Sequence, residues 1–401
     1  FVYNNIGDEI LWPCSMPCPV DASEDIPIGN YGMSNSGMIK AIYRRGLSKR
    51  YGSMMQTIAG IHYNFSFSDK FFNIILSLGK CDNEKELKNE VYLHVARNFK
   101  RFGWLYFFLY GASPAVCDSF VGKIEHNLDS LPGGGLYKPT STSLRMGDLG
   151  YISKAQDELN ISYNNLKDYC FDLENALTTP YKKYQEIGEF TNNDRVQLNT
   201  SVIQIENEYY STVRPKRVCP TGERPINVLR AKGIDYLELR CVDLDPFSPV
   251  GIQREQLDFM DTLLMYCLLN ESPPIEDKEI EVIKKNHENI INNGRDKNQP
   301  IVLHGREDSA INFAKEILFD LKKISTIAGE AVFKDTTNNW LESTNLQIKK
   351  LQNLDETLSS KILNDLLKNN KSFKEFGLKL ASQHSNYFKV EHDYENKFFK
   401  E

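Results

Sequence analysis

Residues 58–68, IAGIHYNFSFS, alternate between apolar and polar side chains. Ile61, Tyr63, Phe65 and Phe67 fall on one face, and His62, Asn64, Ser66 and Ser68 on the other. A period of two predicts a strand with one packed face. The other face is unusual, because a histidine and an asparagine stand where a solvated face would carry Lys, Glu or Thr. The pattern returns at residues 235–249, DYLELRCVDLDPFSP, with Leu237, Leu239 and Cys241 on one side and Glu238 and Arg240 on the other. Residues 201–210, SVIQIENEYY, predict a third strand, with Ile203 and Ile205 packed and Gln204, Glu206 and Glu208 turned away. Three such strands predict a curved antiparallel sheet with an apolar back and a polar front. On these residues alone the front is either an ordinary wet sheet face or the wall of a site.

The periodicity changes near Gly251. Upstream lie short strand-like runs, Gly and Pro punctuation and many aromatics; downstream the patterns are helical. Residues 254–269, REQLDFMDTLLMYCLL, set Leu257, Met260, Leu264, Cys267 and Leu268 along one core-facing stripe, and Pro273 and Pro274 end the helix. EVIKKNHENIINNGRDKNQ and KILNDLLKNNKSFKEFG predict amphipathic surface helices joined by polar loops. No repeat of solenoid period is present.

Composition narrows the function. The chain has 401 residues, 41% of them hydrophobic, enough for a substantial core in one or two domains. A net charge of −6 argues against a general nucleic-acid binder. The most apolar run, WLYFFLYGASPAV at 104–116, is shorter than the ~20 residues of a membrane span. The eight cysteines are scattered except for Cys14 and Cys18, whose spacing lacks a second pair or a nearby histidine for zinc. They read as reduced, ordinary thiols of a cytoplasmic protein. The chain opens FVYNNIGDEI, with neither an initiator methionine nor a leader, and reads as one whose beginning lies further upstream.

Candidate chemistry gathers on the polar face. A histidine and a glutamate facing one another suit a divalent ion, and arginines beside them suit phosphate. Arg145 lies in a Ser/Thr/Gly-rich stretch, TSTSLRMGDLGY. Arg214, Lys216 and Arg217, in STVRPKRV, read locally as a solvated basic turn. There is no Walker A sequence, GxGxxG, GxSxG elbow or kinase set, and LPGGGLYKP reads as a flexible loop. A nucleotide here would be held by a metal-lined sheet and not by a P-loop.

Five stretches, in order, carry a resemblance: YGMSNSGMIKAIYRRGLSKRYGSMMQTIAGIHYNFS, YFFLYGASPAVCDSF, TSTSLRMGDLGYISKAQ, QIENEYYSTVRPKR and GIDYLELRCVDLDPFSPVGI. Together they resemble the proteobacterial type of glutamate–cysteine ligase, densely from Trp12 to Ile252 and only in outline beyond. The resemblance implies an α+β, glutamine-synthetase-like fold whose antiparallel sheet lines a funnel. Residues 1–255 would form the ligase core, and residues 256–401 a helical C-terminal region of the same catalytic unit. It also implies ATP-dependent joining of the glutamate γ-carboxylate to the amino group of cysteine through γ-glutamyl phosphate, the first step of glutathione synthesis. The partners would be glutamate, cysteine and ATP with Mg2+ (or Mn2+), with no nucleic acid and no membrane, in a cytoplasmic monomer.

Carried over by position, His62 and Glu238 match metal ligands, and Arg145 and Arg240 match the arginines that clamp the transferring phosphate. Tyr43, Leu47, Tyr151 and Tyr210 match the cysteine pocket, whose aromatic lining suits a polarizable thiol and disfavours a serine hydroxyl left without a partner. Asn64, beside His62, would touch phosphate or glutamate. Asn207 is left outside, because strand alternation turns it away from Glu206. One departure stands out. The family's acidic Glu-Arg-Glu strand, a source of further metal carboxylates, has no counterpart here, as expected of a truncated fragment unable to bind metal fully. Two other readings stay open: another carboxylate–amine ligase of the same superfamily, and a non-catalytic remnant, against which the intact His62, Glu238, Arg145 and Arg240 argue.

Overall fold

A three-stranded antiparallel sheet carries the polar face, in the spatial order β1 (Ile61–Phe65), β3 (Tyr236–Val242), β2 (Val213–Lys216). These strands come from a computed structural model that describes residues 2–18, 26–79, 81, 83–122, 125–150, 153–334 and 336–390. Asn64 of β1, Glu238 of β3 and Arg214 of β2 share one row across the sheet. Tyr63, Leu239 and Val213 share the neighbouring row, whose side chains point to the opposite face. The register slips between Ile61 and Tyr63, so an irregularity falls at His62, where it re-aims the side chain. Pro215 is tolerated in β2 because that strand is an edge and needs no second ladder.

The third strand is therefore not the one that alternation predicts. Residues 201–210 contain an isolated bridge at Ser201 and a 3-10 turn at Glu206–Glu208. Gln204 and Glu208, expected to face outward, are buried. They go inside because they find polar partners there: Gln204 donates to Gln197 and Asn199, and Glu208 meets a buried arginine. The basic segment read as a solvated turn forms β2 instead, with Arg214 buried.

The back of the sheet is apolar, with Leu237, Leu239 and Cys241 all buried. Four helices frame the core: α1 (Asn35–Tyr51), α2 (Glu84–Phe102), α3 (Trp104–Tyr110) and α4 (Arg254–Leu269). Helix α2 packs on β2 and β3, and α3 packs on β3. All seven residues of α3, the most apolar run of the chain, are buried at the centre. Among the described residues no helix is long and apolar enough to cross a membrane. Helix α4 matches its predicted bounds and packs on α2 and on α7 (Asn339–Gln352), which in turn packs on α6 (Ala310–Phe333). Two further helices, α5 (Asp277–Asn293) and α8 (Leu358–Lys368), were expected to lie on the surface. They are amphipathic, yet they close over α3, burying Ile290 and Leu363.

One cysteine pair departs from the expectation of reduced thiols: Cys18 is disulfide-bonded to Cys117, while Cys14 remains a buried thiol.

Polar side chains of α2 fix the end of α4. Asn98, fully buried, donates to the carbonyls of Cys267 at 2.8 Å and Asn270 at 3.1 Å, which the helix end leaves unpaired. Arg101 grips Glu279 at 2.6 and 2.9 Å and the carbonyl of Pro273 at 2.8 Å. Asn98→Ala is expected to cost about 2 kcal/mol of stability, chiefly the desolvation penalty of the Cys267 carbonyl left unpaired, since His94 Nε2 still lies 2.8 Å from the Asn270 carbonyl. Guanidinium unfolding checks this, and a loss under about 0.5 kcal/mol, the size of an ordinary surface substitution, would contradict the capping role.

Lys100, also on α2, lies over the Tyr163 ring at 4.7 Å. Burial, with Lys284 nearby, pushes its ammonium down to about 8. Between about 8 and the ordinary value of 10.5 the unfolded chain holds the proton that the folded chain has released. Stability from this group therefore rises with pH across that window, and at lower pH burial of the charge is a constant cost. Lys100→Met is expected to raise the unfolding midpoint at pH 7, with the gain fading as pH climbs from 8 past 10.5. Equal gain at every pH would assign the effect to packing and not to charge.

Candidate active site

A cavity of about 660 Å3 opens on the polar side of the sheet, between α1, β1, β3 and the turn at Glu206–Glu208. Helix α1 is started by Ser34, whose side chain accepts from the amide of Gly37, and it turns Lys40, Tyr43 and Arg44 to the cavity on one helical face. Strand β1 contributes His62, strand β3 contributes Arg240, and the 138–150 loop contributes Arg145. Among the described residues, Lys40, Arg44, Arg145 and Arg240 line the cavity, and no Asp or Glu does.

Each cation at the sheet is held by a group behind it. Arg145 donates through Nε to Asp243 at 2.5 Å, and the other oxygen of that buried carboxylate accepts from the amide of Ala112 at 2.7 Å. Arg145 Nη2 is buried without a partner among the described residues. Gly60 makes room for this guanidinium, since a Cβ there would come within 2.7 Å of Arg145 Nη1. Arg240 donates from Nε to His62 Nε2 at 3.2 Å and lies over the Tyr210 ring at 5.7 Å. Because Nε2 accepts, the neutral ring carries its proton on Nδ1, which faces Glu238 Oε1 at 3.4 Å. The second oxygen of Glu238 takes both Arg214 Nε, at 3.0 Å, and Arg214 Nη2, at 2.5 Å. Burial opposes ionisation of Glu238, but the hydrogen bond from His62 and the charges of Arg214 and Lys216 outweigh it. Its carboxyl is held well below the usual range.

Five of the sequence-derived residues thus meet at one cavity: Tyr43, His62, Arg145, Tyr210 and Arg240. Glu238 stands directly behind His62. Asn64 is its register partner on β1, exposed beyond the cavity lining. Leu47 lies one helical turn from Tyr43 and is buried inside, off the cavity wall. Tyr151 lies outside the described residues.

Several residues escaped the sequence reading. Asn207 lines the cavity, because its segment is a turn to which strand alternation does not apply. It accepts from Lys216 at 2.9 Å, and its carbonyl accepts from Arg214 at 3.1 Å. Lys40 and Arg44 sat in plain view on a helical face next to Tyr43. Asp243 had a signal too: it continues the buried side of β3 after Leu239 and Cys241, where a carboxylate needs a cation.

For a divalent ion, His62 and Glu238 are the right donor types, but they supply two positions of a shell of about six. Among the described residues no group of three His, Cys, Asp or Glu side chains could share a metal. The pair is therefore part of a metal site at most. A second cavity, about 690 Å3, lies across Tyr210, Ser211 and Thr212. Asp157, Asp172, Asp277, Glu281 and Glu288 line it beside Lys100 and Lys284, which suits it poorly to phosphate.

The family model for glutamate–cysteine ligase matches residues 1–290. The chain is 40% identical over 390 residues to the glutamate–cysteine ligase of Pseudomonas fluorescens, covering 97% of this chain and 73% of that one. It is 42% identical over 395 residues to that of Alcanivorax borkumensis, covering 97% and 74%. The crystal structure of the Francisella tularensis glutamate–cysteine ligase in complex with AMP superposes with a TM-score of 0.88 at 34% identity, covering 98% of this chain and 76% of that one. A cation-lined cavity on an antiparallel sheet, a match over most of the chain and a shared fold agree: this chain belongs to the glutamate–cysteine ligase family.

Proposed function

We propose that the chain joins the γ-carboxylate of glutamate to the amino group of cysteine with conversion of ATP to ADP and phosphate, through γ-glutamyl phosphate. The observation that carries this reading is the cavity wall, which among the described residues holds four cations and no carboxylate. Both substrates of the first step are anionic, and so is the phosphoryl group that passes between them. Fixed positive charge stabilises it without rearrangement at the moment of transfer.

In this reading Arg145 and Arg240 hold the phosphoryl oxygens, each oriented from behind, by Asp243 and by His62. Transfer of the γ-phosphoryl group to the glutamate carboxylate makes a mixed anhydride. The unprotonated cysteine amine attacks its carbonyl carbon, and phosphate leaves with the electrons of the carbon–oxygen bond. The same arginines offset the charge on the tetrahedral oxyanion, so no protein nucleophile is required. Tyr43 and Tyr210 would receive the cysteine side chain, with Leu47 supporting Tyr43 from inside and Tyr151 completing the set. Asn64 would meet glutamate or phosphate at the edge of the sheet. Magnesium (or manganese) would arrive with ATP and neutralise phosphate charge, with His62 and Glu238 as its contacts on this chain. Residues 1–255 would carry this core, with residues 256–401 bracing it, and the reaction would run in the cytoplasm, where ATP and glutamate are at hand.

The direct test supplies ATP, magnesium, glutamate and cysteine and measures ADP. Release that falls to background when either amino acid is omitted is expected; equal release without cysteine would sink the ligase reading. Arg240→Ala is expected to lower turnover at least a hundredfold, since a charge-assisted contact realised in the transition state contributes roughly 3 kcal/mol. Arg240→Lys should rescue only part, because it keeps the charge and loses the fork. Turnover of Arg240→Ala within a few fold of the parent would remove Arg240 from the phosphate clamp.

A further inference from the structure

Two stretches of chain carry described side chains assigned above to the amine substrate: α1 with Tyr43, and the turn before Tyr210. One buried cluster ties them together behind the cavity. Arg50, seven residues along α1 from Tyr43 and so on the same side of the helix, pairs through Nη1 with Glu208 Oε1, both side chains essentially unexposed. Arg50 Nε donates to the carbonyl of Gly46 at 3.2 Å. The other oxygen of Glu208 accepts from the amide of Gln204 at 2.7 Å. Tyr51 closes the cluster, its hydroxyl 3.3 Å from Glu208 Oε1, 2.8 Å from Ser153 Oγ and 2.7 Å from the Tyr184 hydroxyl. Gln156 bridges to the cavity residue itself: its Nε2 donates to the carbonyl of Glu208 at 3.1 Å, and its Oε1 accepts from the amide of Tyr210 at 2.8 Å.

Burying two charges is not repaid by stability alone, since a well-packed apolar pair of similar volume does as well or better. What the pair does supply is a fixed distance and direction, because a guanidinium and a carboxylate meet in few geometries. Here it fixes α1 against the turn that carries Asn207 and Tyr210, and Tyr51 and Gln156 extend the tie to the 153–156 stretch. We propose that Arg50 and Glu208 are positioning residues for the amine substrate: they set the spacing of Tyr43 from Tyr210 and thereby the affinity for cysteine, while leaving the phosphate clamp at the sheet to Asp243 and His62. This rests on the reading that Tyr43 and Tyr210 receive cysteine.

The test uses the protein with Arg50→Met and Glu208→Leu combined, which removes both charges and leaves none unpaired. The KM for cysteine is expected to rise about tenfold or more, while the KM for ATP moves less than twofold. Hydroxylamine, a small amine that traps an acyl phosphate without needing an aromatic pocket, should give γ-glutamyl hydroxamate at a rate within threefold of the parent. A cysteine KM within twofold of the parent overturns the proposal, as does a parallel fall of the cysteine and hydroxylamine reactions, which would make the pair merely structural. If the double variant does not melt cooperatively, Tyr51→Phe carries the same test with an expected rise of about threefold. Tyr43→Ala separates the two layers of the reading. If it leaves the cysteine KM unchanged, the pocket assignment fails and the proposal with it. If it raises the KM and the charge-pair variant does not, only the positioning role fails.

Discussion

A cavity that concentrates guanidinium and ammonium groups must hold them together against their own repulsion, and it must do so without placing carboxylates where anions are to bind. Unit charges at about 4 Å repel by ~1 kcal/mol in water and by several times that in a partly dry site. The structure meets this constraint by setting its acids one layer back. Asp243 lies behind Arg145, and Glu238 lies behind His62, which accepts from Arg240. Each acid is buried or nearly so and is tied from its far side, Asp243 by the amide of Ala112 and Glu238 by Arg214. The counter-charge is close enough to orient the cation and too deep to compete for the ligand.

That arrangement explains why an edge strand holds a buried arginine. Arg214 is not a cavity residue; it engages Glu238 from the adjacent strand and the carbonyls of Asn207 and Tyr209 from the preceding turn. One side chain thus fixes the charge of the sheet row and the path of the segment that leads to Tyr210. The helices beyond residue 254 serve the same end at longer range. Helix α3 packs on β3 from behind, and α5 and α8 cover α3, so the strand carrying Glu238 and Arg240 rests on a closed apolar layer. Asn98 and Arg101 pin the exit of α4 to α2, and α2 is itself the support of β2 and β3.

What the sequence made legible follows from how local each signal is. The alternation in residues 61–65 and 236–242 located two strands and the front face, because both strands have one dry side and one wet side. The stripe in residues 254–269 located a helix to the residue for the same reason at helical period. Alternation misled at residues 201–210, since a buried hydrogen-bonded turn can imitate it: Gln204 and Glu208 look solvated in a one-dimensional pattern and are interior in space. The strand that replaces it, Val213–Lys216, carries Arg, Pro and Lys, a composition that argues against a strand until its edge position and its ion pair are known.

The residues missed at the cavity have a common cause. Lys40 and Arg44 become site residues because the helix just upstream of β1 folds back against the sheet, and Asn207 because a turn from far along the chain does the same. Buried charges are the exception, because burial of a charge demands a partner wherever that partner lies in sequence. An acid on the apolar side of β3 implied a cation, and Arg145, a lone arginine in a loop of small polar residues, implied an acid. Each of the two was visible on its own; only their pairing required the fold. In a chain of this kind a charged residue on the wrong side of a periodic pattern points to the second layer of a site more directly than any motif, since the desolvation cost that makes it conspicuous is the cost its partner must offset.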